Sequence, residues 1–172
     1  MDTDQSLYAK DTVTLLIELF QGIFGDTFKS YWEGTPTTVP NATDFPLVII
    51  QQKKTKAVIG PTSTDEVPET ITISVWLNEA DDLGSENVRT TTMRKLQFMV
   101  QGQDPVTKDY RNDTFLYALR HYLTTLNTGS QWLIDSDVEV QYDQGRHKDL
   151  PTIAMADIIL TTQRRVIVSR TG

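Results

Sequence analysis

Cysteine is absent from this 172-residue chain, which removes disulfide frameworks, thiolate metal sites and cysteine nucleophiles together. Histidine is nearly absent as well, with only His121 and His147. A zinc site needs three or four His, Cys or carboxylate ligands in close spacing, and none is so arranged. No apolar run approaches the roughly 18–20 residues that span a bilayer. Met1-Asp2-Thr3-Asp4 lacks the basic and apolar regions of a signal peptide, so a cytoplasmic protein is expected. The glycosylation triplets Asn41-Ala42-Thr43 and Asn112-Asp113-Thr114 are then chance matches. The nine glycines are scattered, so there is no Gly-rich phosphate cradle and no Gly-x-Ser-x-Gly elbow. Basic charge is scarce in the first half, where residues 1–86 hold five Lys and Arg against fourteen Asp and Glu. Phosphate binding needs clustered Lys and Arg, so nucleic-acid grip is disfavoured.

What is present is ordinary globular composition, 38% hydrophobic and 23% charged, with a net charge of −7. The length fits one domain able to bury a core unaided. Threonine is abundant, at 25 residues, and with Val and Ile it favours strands over an all-helical bundle.

Apolar residues at three- and four-residue steps, Leu16, Phe20 and Phe24 with Leu19 and Ile23, predict a helix over 4–24 that stops at Gly25. Three prolines between Tyr31 and Pro46 predict an extended, turning segment without regular structure. Leu47-Val48-Ile49-Ile50 begins a strand that turns polar through Lys53, Lys54 and Lys56. Its partner, 69–79, alternates Ile71, Ile73, Val75 and Leu77 with Thr70, Thr72, Ser74 and Trp76, the period of a half-buried strand. Together they read as a long hairpin whose base is core and whose polar tip, with Gly60 to Asp65 as turn or loop, protrudes.

Ser85 or Asn87 caps a helix to about Val100, with Val88, Thr92, Leu96 and Met99 inward and Gly102 ending it. Asn112 or Asp113 caps another to Asn127, lined by Phe115, Leu119, Tyr122 and Leu126, with Gly129 beyond it. Val138, Val140 and Tyr142 then alternate with Asp137, Glu139 and Gln141. A loop from Asp143 to Leu150 leads to a last strand through Ala154, Ala156, Ile158 and Leu160, continuing raggedly to Val168. Paired strands with short links imply an α+β domain: an antiparallel sheet built from two hairpins, with helices packed on one face.

Catalytic chemistry finds little purchase. Asp135, Asp137 and Glu139 project from one face of a strand and are candidates for holding a divalent cation for phosphodiester cleavage. No lysine or histidine base accompanies them, and the solvent face of a half-buried strand explains them more simply. No cofactor is implied. Lys53-Lys54-Thr55-Lys56 lacks the interleaved aromatics of a nucleic-acid platform, and reads first as charge guarding an edge strand, then as a contact to an acidic partner.

The order of elements resembles the tail terminator proteins of long-tailed bacteriophages. The residues that carry this are the N-terminal helix, the loop Tyr31-Trp32-Glu33-Gly34-Thr35-Pro36, Asp44-Phe45-Pro46 directly before Leu47-Val48-Ile49-Ile50, the hairpin to Ile71–Leu77, the helices, and Asp143-Gln144-Gly145-Arg146 leading into Ala154–Leu160. Two helices between the hairpins make the chain longer than compact members of that family. The resemblance implies a non-enzymatic virion protein, put together in the host cytoplasm. It would form a hexameric ring that caps the tail tube, ends its polymerisation and presents a head-joining surface. Its partners would be copies of itself, the tube protein and a neck protein, with DNA passing through the bore without specific binding.

On that reading 1–172 is one domain with a protruding hairpin at about 51–69 and a C-terminal arm at 163–172. Lys53, Lys54, Lys56, Asp65 and Glu66 meet the tube or a neighbouring subunit, Arg164 and Arg165 meet a neighbour, and Asp81 and Asp82 lie in a bore or interface loop. A head-completion or neck protein of the connector is the close alternative, and a divalent-metal phosphodiesterase the distant one.

Overall fold

The computed structural model describes residues 10–34, 40–56, 59, 64–82, 84, 86–122, 131–144 and 153–167, with only the backbone described for 64, 89, 131–136, 144 and 164–167. In chain order the elements are α1 (Thr12–Phe24), β1 (Ser30–Glu33), β2 (Leu47–Thr55), β3 (Thr64–Asn78), α2 (Val88–Gln101), α3 (Phe115–Tyr122), β4 (Gln131–Gln144) and β5 (Ile153–Ile167). The five strands form one sheet in the order β1-β2-β3-β5-β4. This is an α+β fold.

The two central strands, β3 and β5, are 15 residues each and pair antiparallel over their whole length, from Thr64 opposite Ile167 to Asn78 opposite Ile153. Strict alternation sets their faces. Ile71, Ile73, Val75 and Leu77 of β3 and Ala154, Ala156, Ile158 and Leu160 of β5 point to one side and are buried there with Val48 and Ile50 of β2. The helices cover that side. α1 contributes Leu16, Phe20 and Phe24, α2 Leu96 and Val100, and α3 Phe115, Ala118 and Leu119. Phe115 is the hub, with ring centroids 5.0, 4.4 and 5.5 Å from Phe20, Phe24 and Phe28. Such offset and edge-on contacts add to plain burial. A smaller cluster, Phe45, Leu47, Ile49, Trp76 and Ile153 with Trp32 and Met155, lies on the opposite face at one end of the sheet.

The sheet is mixed rather than purely antiparallel. β1 adds a parallel edge, Ser30 to Glu33 beside Leu47 to Ile50, where the sequence pointed to irregular chain. Four residues are too few to show a period, and the three prolines, Pro36, Pro40 and Pro46, lie outside the strand, so their composition masks it. β3 begins at Thr64, five residues before the alternation predicts, because Thr64 to Pro68 pair with β5 instead of closing a two-strand tip with β2.

α1 starts at Thr12 with Asp11 as its cap, whose carboxylate accepts from the Thr14 N–H at 2.8 Å. Asn87 caps α2 in the same way, through Thr90 N–H at 3.3 Å. α2 ends at Gly102, where a Cβ would stand 2.7 Å from the Phe98 carbonyl oxygen. α3 is capped by the Thr114 hydroxyl, which accepts from Tyr117 N–H at 3.3 Å. Asp113 is not the cap, because its carboxylate is held by the Arg111 guanidinium at 3.1–3.2 Å. The predicted continuation of α3 to Asn127, its Leu126 contact and Gly129 fall outside the described residues.

Candidate functional site

Polar residues enter the helix-covered face at a definite row. Glu69 occupies an inward position of β3, opposite Thr162 of β5 and Thr55 of β2. It is only 3% exposed. A buried carboxylate requires hydrogen-bond partners, and Glu69 takes the Thr12 hydroxyl at 2.5 Å and the Gln52 amide at 3.5 Å. The start of α1 is thereby tied to the sheet. Thr162 is buried beside it, and its hydroxyl has no partner among the described residues. The alternation Val67, Glu69, Ile71, Ile73 makes this inward acid legible in sequence, yet the run read most simply as a strand beginning at Glu69.

Beyond that row none of the described side chains belongs to the helix-covered core cluster. β3 and β5 continue for five more residues, with Asp65 and Glu66 half-buried and Glu66 accepting from the Gln163 amide at 2.8 Å. Among the side chains described at 65–68, only Val67 is buried. Arg164 stands opposite Val67, and Arg165 opposite Glu66, in the backbone register. Residues 163–167, the first part of the expected C-terminal arm, belong to β5, and 168–172 lie outside the described residues. The β2 side of the expected hairpin at 51–69 ends at Thr55 in the Glu69 row, and beyond that row β3 continues beside β5 and β5 beside β4. Lys53, Lys54 and Lys56 are exposed on the far end of β2.

Asp81 and Asp82 part company. Asp81 is exposed, whereas Asp82 meets α2, bonded to Lys95 Nζ at 2.7 Å and to the Thr92 hydroxyl at 2.8 Å. Burial alone would raise its pKa, but the Lys95 and Thr92 hydrogen bonds and the Lys95 charge outweigh it and hold the carboxyl below its usual range. Asp82 is a tie between the turn Glu79–Asp82 and α2.

Asp137 and Glu139 of β4 project from the helix-free face and are exposed, and Glu139 accepts from the Gln141 amide at 2.9 Å. The β4–β5 register shifts between Leu133 and Asp137, so an even alternation through Asp135, whose side chain is not described, no longer follows from spacing. Among the described residues no group of three or more His, Asp or Glu is placed to hold a metal ion. Val138, expected to face the core, is 39% exposed, since β4 is an edge strand and its outer flank has no strand beside it among the described residues.

His121 is exposed on α3 and stacks on Tyr117, with centroids 4.1 Å apart, and His147 lies outside the described residues. A groove of 380 Å³ between the C-terminal ends of α1 and α2 is lined by Ile23, Phe24, Phe98, Met99, Arg111 and Asp113 among others. Its charged pair is self-satisfied, and Phe98 is 68% exposed. Next to it, residues 103–110 form a tight loop. There the Asp104 carboxylate accepts from Thr107 and Val106 N–H at 2.9 and 2.8 Å, and these bonds hold its pKa below the usual range. Neither the groove nor the loop was signalled by periodicity, because both are made where separate elements end. No family model matches the chain, and no curated protein matches it.

Proposed function

We propose that this protein is a structural, ring-forming assembly protein of the tail-terminator kind, capping a phage tail tube and offering a surface to the head. The observation that supports it most is the division of the sheet. One half is a rigid body, clamped by three helices around Phe115. The other part, past the Glu69–Thr162 row, is a ribbon of β3, β5 and the start of β4, and none of its described side chains belongs to the main core cluster. Strands that run on past the main core are marginal in isolation, and they suit a part stabilised by contact with another molecule.

Lys53, Lys54 and Lys56 lie at the end of β2 beside the row where Thr12 meets Glu69, and Asp65 and Glu66 lie beyond that row on β3. These exposed and half-exposed charges are the proposed contacts to a tube or a neighbouring subunit. Heterologous contacts between such patches close into rings. Asp81 remains available to an interface, while Asp82 is engaged with α2. A six-membered ring multiplies a net charge of −7 per chain, which disfavours tight DNA binding in its bore.

The test is native mass measurement and negative-stain imaging of the protein alone and with purified tail tubes. A closed hexamer seated on tube ends is expected. A monomer that leaves tube ends bare overturns the reading, and binding to the head connector in place of the tube moves the protein to the neck.

A further inference from the structure

The sheet has two open flanks of opposite charge, and they sit at matching heights. β1 ends at Glu33, opposite Ile50, so from Gln51 onward the outer flank of β2 has no strand neighbour among the described residues. That flank carries Lys53, Lys54 and Lys56. The opposite flank is β4, which has no outer strand neighbour among the described residues and carries Asp137 and Glu139. Among the described residues none of these five side chains joins an ion pair within the chain.

The register connects the two flanks. Lys54 stands opposite Thr70, Thr70 opposite Thr161, and Thr161 opposite Asp137. Lys54 and Asp137 therefore end one row across four strands, about 14 Å apart at the usual strand spacing, on the helix-free face. β2, β3, β5 and β4 alternate in direction, so β2 and β4 run opposite ways. A second copy set beside the first in the same orientation meets it β2 against β4, antiparallel, and continues the sheet from Gln51 onward, the end of β4 at Asp143 and Gln144 turning aside where β1 fills the flank of Ile49 and Ile50.

Resting on the ring reading above, we propose that copies of this chain join edge to edge, β2 of one against β4 of the next, with Lys54 opposite Glu139 and Lys56 opposite Asp137. Antiparallel partners keep a constant sum of residue numbers, so one register satisfies both pairs. Side chains two apart share a face, and the Lys56 N–H bond to the Pro68 carbonyl at 3.1 Å keeps Lys56 in the extended course of β2. This register is offset by two residues from the row Lys54–Asp137, and such stagger is what closing a sheet on itself requires. Opposite charge on the two flanks selects this joint and disfavours β2–β2 and β4–β4 pairing.

The test uses the full chain and two edge variants, K54E/K56E and D137K/E139K, in native mass spectrometry and sedimentation, with thermal unfolding to confirm that each is folded. Each variant alone presents like charges at every joint, and its assembly is expected to weaken by about 100-fold or more. An equimolar mixture restores opposite charges at every joint and is expected to return closed oligomers with an even copy number, the two variants alternating. Should either reversal fail to fold, the neutral pairs K54Q/K56Q and D137N/E139N are expected to weaken assembly by about tenfold. Folded reversal variants that assemble like the wild type, or that fail to assemble when mixed, overturn the edge pairing and leave the ring reading standing. Variants that still form rings but no longer cap tubes assign the flanks to the tube and also overturn the pairing. A wild-type chain that stays monomeric and ignores tubes ends both.

Discussion

At the scale of single residues, stability concentrates where apolar rings meet and where a polar atom is held against the core. Phe115 touches three other phenylalanines and is fully buried. Phe115→Ala removes the hub joining α1, α3 and the 25–28 turn, and is expected to cost about 3–5 kcal/mol in urea unfolding. Tyr31 shows the polar counterpart. Its phenol donates to the Gly25 carbonyl at 2.9 Å, and burial, with the Asp26 charge second, pushes its pKa up to about 12. The unfolded phenol releases its proton near the ordinary value of about 10, so the folded state holds more protons between these values. Stability is accordingly complete below about pH 10 and declines as pH rises toward 12. Tyr31→Phe is expected to cost about 1 kcal/mol at neutral pH and to flatten that alkaline decline, read as melting temperature against pH.

At the scale of elements, caps and ties decide where helices begin and how they sit. The tie from Asp82 to Lys95 and Thr92 joins the end of β3 to the middle of α2. Because the folded carboxyl is held below its usual value, its contribution is full above about pH 4, the unfolded value, and is lost as pH falls through the lower folded one. Asp82→Asn is expected to lower stability by about 1–2 kcal/mol at pH 7. Wild type and variant should converge on acidification, and parallel pH curves from urea titrations would refute the tie. The same scale shows what sequence reading reached. Asn87 as cap and Gly102 as stop were both legible, because each acts through neighbours within four residues. β1 was not. A four-residue edge strand is stabilised by Leu47 to Ile50 beside it, and nothing local in Ser30–Glu33 announces that partner.

At the scale of the whole molecule, the two charged flanks make assembly a matter of ionic strength. Exposed pairs are screened, and going from about 0.1 M to about 1 M salt shortens the screening length from about 10 Å to about 3 Å. Oligomers joined through Lys54, Lys56, Asp137 and Glu139 are expected to dissociate about tenfold more readily over that range, measured by sedimentation in sodium chloride. Assembly through an apolar face would strengthen in excluded salts instead, so the sign of the response separates the two modes of contact.

Sequence alone determined the class of the fold, the inward faces of β3 and β5, and most of the helix stripes, because burial imposes periods of two and near 3.6 on residues close in the chain. Tyr122, read as facing the core, is 41% exposed. Tertiary structure decided the rest. It placed β5 between β3 and β4, took Thr64 to Pro68 from an expected tip into a ribbon, drew Thr12 onto Glu69 across 57 residues, and set Lys54 and Asp137 in one row. Those are relations between distant segments, fixed by which strand lies beside which, and no pattern within a single segment carries them.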